Sequence, residues 1–179
     1  MTLEPTPECI LAREHLMSIR CCTEPSPRPR RACCPVTGTP GVLVELHTVK
    51  ALLTNAALAT LSPTSYYFCP EPDCDVVYFA PQGKAFHQAD VRTTVWQKAA
   101  PGGRTICYCF GETEDTIRGD VARSGASDVV ERVRAHIAAG RCACDIRNPR
   151  GTCCLGDLHA AVRRFRSETP GVSNLRDLP

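Results

Sequence analysis

The sequence predicts an α+β protein with a β-rich first half and a helical second half. Three observations carry this. Short aromatic and β-branched runs, Tyr66-Tyr-Phe68 and Val76-Val-Tyr-Phe79, flank a turn rich in Pro and Asp. Beyond residue 113, apolar residues recur three and four apart, the period of an amphipathic helix. The 13 cysteines of the 179 residues fall mostly into two groups, separated by the breaker Pro101-Gly102-Gly103.

A weak helix is expected over residues 1–20, with apolar Cys9, Ile10, Leu16, Met17 and Ile19, closed by Cys21-Cys22. Residues 23–31 alternate proline with polar residues, which favours an extended, semi-rigid linker. A strand is expected over 41–46. Thr48 is the expected N-cap of a helix over 49–61, which Pro63 ends. The aromatic strand at Tyr66 enters Cys69, Pro70 to Asp73 make a turn, and the strand at Val76 leaves Cys74. That hairpin brings both sulfurs to one side, the shape of a zinc knuckle. Pro81 to Lys84 form a second hairpin turn, and 91–96 is the expected third strand.

In the second half, a helix starts at Thr113 or Glu114 and stops at Ser124-Gly125. Ser127 caps a second helix over 128–139, stopped by Gly140. Asn148 to Gly151 turn tightly, and a third helix covers 155–166 with Leu158, Val162 and Phe165 as its stripe. The implied division is 1–32 as helix and linker, 33–98 as a β-rich unit, 105–166 as a helical unit and 167–179 as a tail.

Net charge is +2, with Lys+Arg 21 against Asp+Glu 19, so composition gives no case for nucleic acid. Arg28, Arg30 and Arg31 read as a solvated linker. No apolar run approaches the roughly 20 residues of a membrane span. The N-terminal residues lack the pattern of an export signal, so a cytoplasmic location is expected. No Ser/His/Asp set, phosphate loop or dinucleotide fingerprint occurs. His15, His47, His87, His136 and His159 are isolated, and Trp96 reads as core. Any activity is at most electron transfer or metal reduction without a classical active site.

An odd number of cysteines in a reducing compartment argues for metal ligands over disulfides. The first group is Cys33-Cys34 with Cys69 and Cys74. The second is Cys107-x-Cys109, Cys142-x-Cys144 and Cys153-Cys154, each pair at a helix boundary. Free backbone N–H groups at helix starts favour thiolates. Four such thiolates can hold tetrahedral zinc or an iron–sulfur cluster, and C-x-C with C-C spacing favours the cluster over a zinc finger. Arg141, Arg147 and Arg150 lie close enough in sequence to offset its charge.

The run Cys107-Tyr-Cys-Phe-Gly-Glu-Thr-Glu-Asp-Thr-Ile-Arg, followed after two helices by Cys142-Ala-Cys-Asp-Ile-Arg-Asn-Pro-Arg-Gly-Thr-Cys-Cys-Leu-Gly-Asp-Leu, resembles the iron–sulfur segment in the N-terminal domain of CopZ-type copper chaperones. More loosely it resembles bacterioferritin-associated ferredoxin. The first half is similar too, through Cys34-Pro-Val, Thr48-Val-Lys-Ala-Leu-Leu, Tyr66-Tyr-Phe-Cys-Pro and Asp73-Cys-Asp-Val-Val-Tyr-Phe. The resemblance spans about residues 33–160.

It implies a small zinc-ribbon-like β subdomain followed by a helical [2Fe–2S]-binding subdomain. It implies zinc on Cys34, Cys69 and Cys74. Thr37 stands where the family places a further knuckle cysteine, which leaves Cys33, or Cys21 or Cys22, as the fourth ligand. Cys107 and Cys109 carry over as cluster ligands. Cys144 is expected to join them with either Cys153 or Cys154, and Cys142 is the alternate. The implied function is one-electron transfer in the handling of copper or another soft metal ion, through reduction or sequestration. The family's Met-x-Cys-x-x-Cys loop does not occur here, so the implied partner is a separate metallochaperone or metal-transporting ATPase. The competing classes are a non-redox zinc scaffold and a thiol metal buffer.

Overall fold

The computed structural model describes residues 32–169. The expected helix over 1–20, the proline linker and Cys9, Cys21 and Cys22 lie outside these residues. Four short strands form one antiparallel sheet in sequence order: β1 (Val42–Val44), β2 (Tyr66–Phe68), β3 (Val76–Phe79) and β4 (Ala85–His87). Every residue of β2 and β3 is buried, because both faces of the sheet are covered. Tyr66, Phe68, Val77 and Tyr78 pack with Val44, Val49, Leu52, Leu53 and Phe86. Tyr67, Val76 and Phe79 join Cys34, Cys69 and Cys74 in a separate core. A register shift between Val76 and Tyr78 breaks the alternation, so adjacent Val77 and Tyr78 serve the same core. Tyr67 stacks on Phe79 at 5.8 Å. Gly41 enters β1 beneath this pair; a Cβ there would stand 2.5 Å from Phe79 Cζ.

The expected helix over 49–61 is two helices, α1 (Leu46–Leu52) and α2 (Asn55–Leu58). Tertiary pairing splits them. The Thr54 amide donates to Asp90 O at 2.8 Å, and the Arg92 amide to Leu52 O at 2.9 Å, which holds Leu53 extended. Thr54, not Thr48, is the capping threonine: its hydroxyl accepts from the Ala57 amide at 3.3 Å. Thr48 is buried inside α1. The expected third strand over 91–96 is also replaced. The hairpin closing with Ala80 N donating to Lys84 O pairs β4 with β3 at once. Asp90 then accepts from the His87 amide and turns the chain away. Only Val91 pairs, in a single bridge with Leu53.

The second half begins with a two-stranded ladder absent from the sequence reading, β5 (Thr105–Cys107) with β6 (Glu112–Thr113). Helices α3 (Glu114–Ser124), α4 (Val129–Ala138), the single turn α5 (Cys144–Arg147) and α6 (Leu155–Glu168) follow. Thr113 caps α3 by accepting from the Thr116 amide, and Gly125 ends it in the left-handed region. Ile117 and Val121 of α3, Val129, Val130 and Val133 of α4, and Leu158, Ala161 and Phe165 of α6 close over Ile106 and Cys107.

The two cores are joined. The Tyr78 hydroxyl donates to Pro149 O at 2.8 Å, in a buried bond. Gly151, with φ of 66°, lies so close to α1 that a Cβ would stand 3.0 Å from Thr48 Oγ1. The Tyr108 hydroxyl donates to Thr94 O at 2.8 Å and accepts from the Trp96 amide at 2.9 Å. No helix among the described residues is long and apolar enough to cross a membrane.

Candidate metal centres

Each described cysteine is a free thiol. The first centre lies on the sheet face that carries Tyr67 and Phe79. Cys34 opens a tight turn, with Gly38 N donating to Cys34 O at 2.8 Å. Cys69 follows β2, and its amide donates to Val77 O at 3.0 Å. Cys74 closes the intervening turn. All three are buried, and their sulfurs lie within 4.8 Å of one another, with Cys34 and Cys74 at 3.9 Å. That spacing suits three ligands of one ion.

The electrostatics of this trio divide its thiols. Burial opposes ionisation of Cys34, but the amides of Thr37 and Val36 and the Thr37 hydroxyl overcome it and hold the thiol down to about 7. Burial pushes Cys69 up to about 11, against the Glu71 amide and the Lys98 charge. The Lys98 ammonium donates to Glu71 O at 2.7 Å and Cys74 O at 3.0 Å, pinning the turn. Cys33 is exposed, bridges Pro40 through its backbone and is not in the three-sulfur group.

The second centre gathers at four chain segments. Cys107 ends β5, and Gly111 N donating to Cys107 O at 2.9 Å folds the turn that carries Cys109. Cys142 and Cys144 straddle the entry to α5. Cys154 is the N-cap residue of α6. Cys109 Sγ is 3.6 Å from Cys144 Sγ, and Cys142 Sγ is 3.2 Å from Cys144 Sγ. The buried Cys154 thiol bonds to both Cys107 and Cys144. These two bonds, reinforced by burial, push Cys154 far up. On the accepting side, the bond from Cys154 outweighs burial and holds Cys107 down to about 7. For Cys144, Cys154 again outweighs burial, helped by Cys142 and Cys109, and the thiol falls to about 5. Cys109 goes the other way, pushed up to about 12 by burial against the Ala143 amide, which donates to its sulfur at 3.4 Å. Cys153 is exposed.

The basic rim is only partly free. Arg150 donates to both Asp157 oxygens at 3.2 Å, and Arg141 contacts His136 Nδ1 at 3.0 Å. Arg147 reaches into the centre, donating to Cys109 O at 3.3 Å. The described histidines lie apart from one another: His47 with Asp145 at 3.6 Å, His87 with Asp75 at 2.9 Å, His136 also stacked on Phe110 at 4.4 Å, and His159 with Arg134 at 3.2 Å.

The choice between Cys153 and Cys154, open on spacing, has a signal in the helical period that follows. Cys154 lies four residues before Leu158, seven before Ala161 and eleven before Phe165, on the buried stripe of α6. Cys153 is off that stripe.

This fold and these thiol groups define the class: a mixed α/β domain with cysteine groups that could hold metal ions, similar to domains of the CopZ type. Residues 31–92 match the family of CopZ zinc binding domains. The copper chaperone CopZ of Archaeoglobus fulgidus is 31% identical over 121 residues, covering 68% of this chain and 57% of that protein. The chain thus spans little more than half the length of this curated relative. The X-ray structure of the Archaeoglobus fulgidus CopZ N-terminal domain superposes with a TM-score of 0.61 at 29% identity, covering 72% of this chain and 96% of that one. In sequence and in fold the chain resembles the CopZ-type N-terminal domain.

Proposed function

We propose that the protein carries two metal centres and transfers single electrons in the handling of copper or another soft metal ion. Cys34, Cys69 and Cys74 hold zinc as a structural ion, with the fourth position left to a ligand outside the trio. Cys107, Cys109, Cys144 and Cys154 would hold a [2Fe–2S] cluster, with Cys109 and Cys144 the closest pair, 3.6 Å apart. The observation that carries this is the convergence of these four thiols from β5, its turn, α5 and α6 without a disulfide among them. The donor set fits the group. Two thiols, Cys107 and Cys144, are already drawn towards thiolate, and the Ala143 amide points at a third sulfur.

When bound, such a cluster supplies one-electron redox chemistry. The residues of this chain set its conditions. The core around Ile106, Leu158 and Phe165 shuts water from Cys107 and Cys154, and the Ala143 amide and Arg147 place positive potential beside the thiolates. Reduction of Cu(II) gives Cu(I), the state that thiolate carriers hold. A separate metallochaperone or metal-transporting ATPase in the cytoplasm is the partner this chemistry calls for.

The test is an absorption spectrum of protein purified without air, with iron, sulfide and zinc assayed on the same sample. The expected result is visible bands that bleach with dithionite and about two irons per chain. The Cys107→Ala variant loses the bands. A second reading, a non-redox zinc scaffold, is favoured by one observation: Cys109, Cys142 and Cys144 lie within 4.8 Å of one another, a spacing for a single ion. That protein would be colourless after iron and sulfide reconstitution and would hold zinc in both halves.

A further inference from the structure

Cys142 lies against the second centre yet has no place among its four ligands. Its sulfur is 3.2 Å from Cys144 Sγ, and Cys109, Cys142 and Cys144 all fall within 4.8 Å of one another. Three thiols therefore face the position that two of them serve. The local backbone explains the crowding. Cys142 and Cys144 flank Ala143, whose amide is fixed on Cys109 Sγ at 3.4 Å. The Arg141 amide, donating to His136 O at 3.1 Å, anchors the other side of Cys142 to the end of α4. Cys142 is half-buried, so its thiol meets both the centre and solvent.

We propose that Cys142 is a reserve ligand, a thiol held beside the iron position of Cys109 and Cys144 that replaces Cys144 when that bond opens. This rests on the two-centre reading. In the exchange one iron–sulfur bond breaks as another forms. The proton of the incoming Cys142 thiol passes to the outgoing Cys144 sulfur, 3.2 Å away, and no electron moves. The consequence is a centre that survives the loss of one ligand.

The experiment reconstitutes the full chain with iron and sulfide under anaerobic conditions, as wild type, Cys144→Ala and Cys142→Ala/Cys144→Ala. Iron, labile sulfide and the electron paramagnetic resonance of the reduced sample are read. The expected result is about two irons per chain in wild type and in Cys144→Ala, with shifted resonance in the variant, and loss of the cluster in the double variant. A Cys144→Ala protein that keeps its helices by circular dichroism but takes up no cluster overturns the inference. So does a double variant that still loads. A wild type that forms no cluster fails the two-centre reading itself, and the inference with it. Should Cys144→Ala not fold, Cys144→Val fills the site with a side chain that cannot bind iron, and alkylation followed by mass spectrometry decides. Cys142 is then expected to be modified in loaded wild type and protected in loaded Cys144→Val. Full modification in both overturns the proposal.

Discussion

Glu114 begins α3 with no solvent exposure and is held between two guanidinium groups. Burial alone would raise its carboxyl pKa. Arg104, donating to both oxygens at 2.6 and 2.7 Å, and Arg164, bonded to Oε1, reverse this and hold it down to about 2. The Gly102 amide adds a bond at 3.3 Å, so one side chain ties the 99–104 loop to α3 and α6. A carboxyl depressed in the folded state stabilises the protein above its ordinary pKa of about 4.5. That contribution is lost as pH falls from there towards 2. Its size is on the order of 3 kcal/mol. Glu114→Gln should therefore be less stable than wild type at pH 7, and the gap should close between about pH 4.5 and 2. Urea melts of both metal-free proteins across that range check it; a gap that stays constant with pH contradicts the assignment.

At the scale of elements, the sheet is assembled around contacts that leave no spare volume. Gly41 sits under Phe79 and Tyr67, and a methyl group there meets Phe79 Cζ at 2.5 Å and Tyr67 Cβ at 2.7 Å. Gly41→Ala should cost about 1–3 kcal/mol by overpacking and should loosen Cys34, because the Gly41 amide is bonded to Ala32 O at 2.8 Å. Faster loss of zinc to a chelator, beside a lowered denaturation midpoint, is the expected outcome. The elements differ in how far the sequence reveals them. β2 and β3 are legible as unbroken apolar runs that are buried throughout, and α6 because its apolar period matches its burial. The break between α1 and α2 is not, since it is made by hydrogen bonds to residues 90 and 92, far along the chain. β6 has two residues and no pattern to read. The closeness of Cys69 and Cys74 is legible from a knuckle-like turn, whereas Cys34 joins them only through the family resemblance. Membership of the second group depends on side-chain direction, which C-x-C and C-C spacing hides.

Across the whole molecule the two cores share a wall. The Tyr78 to Pro149 bond, the close fit of Gly151 on Thr48 and the Tyr108 bridge to Thr94 and Trp96 all cross it. Tyr78→Phe leaves the buried Pro149 carbonyl without this donor, at about 1–3 kcal/mol. Thermal unfolding followed by Trp96 fluorescence and by circular dichroism should give coincident transitions in wild type, both lowered together in the variant. Two separate transitions in wild type would mean that the wall carries no coupling. The burial of the second thiol group is lopsided as well. Cys107 and Cys154 are sealed, at 0% and 1% exposure, whereas Cys109 and Cys142 open outward beside Phe110 and Arg147. Among the described residues the group thus opens on the side of Cys109 and Cys142. For anything it exchanges with its surroundings, whether a charge, an ion or an attacking oxidant, that side is the open porch, and Cys142 stands on its threshold.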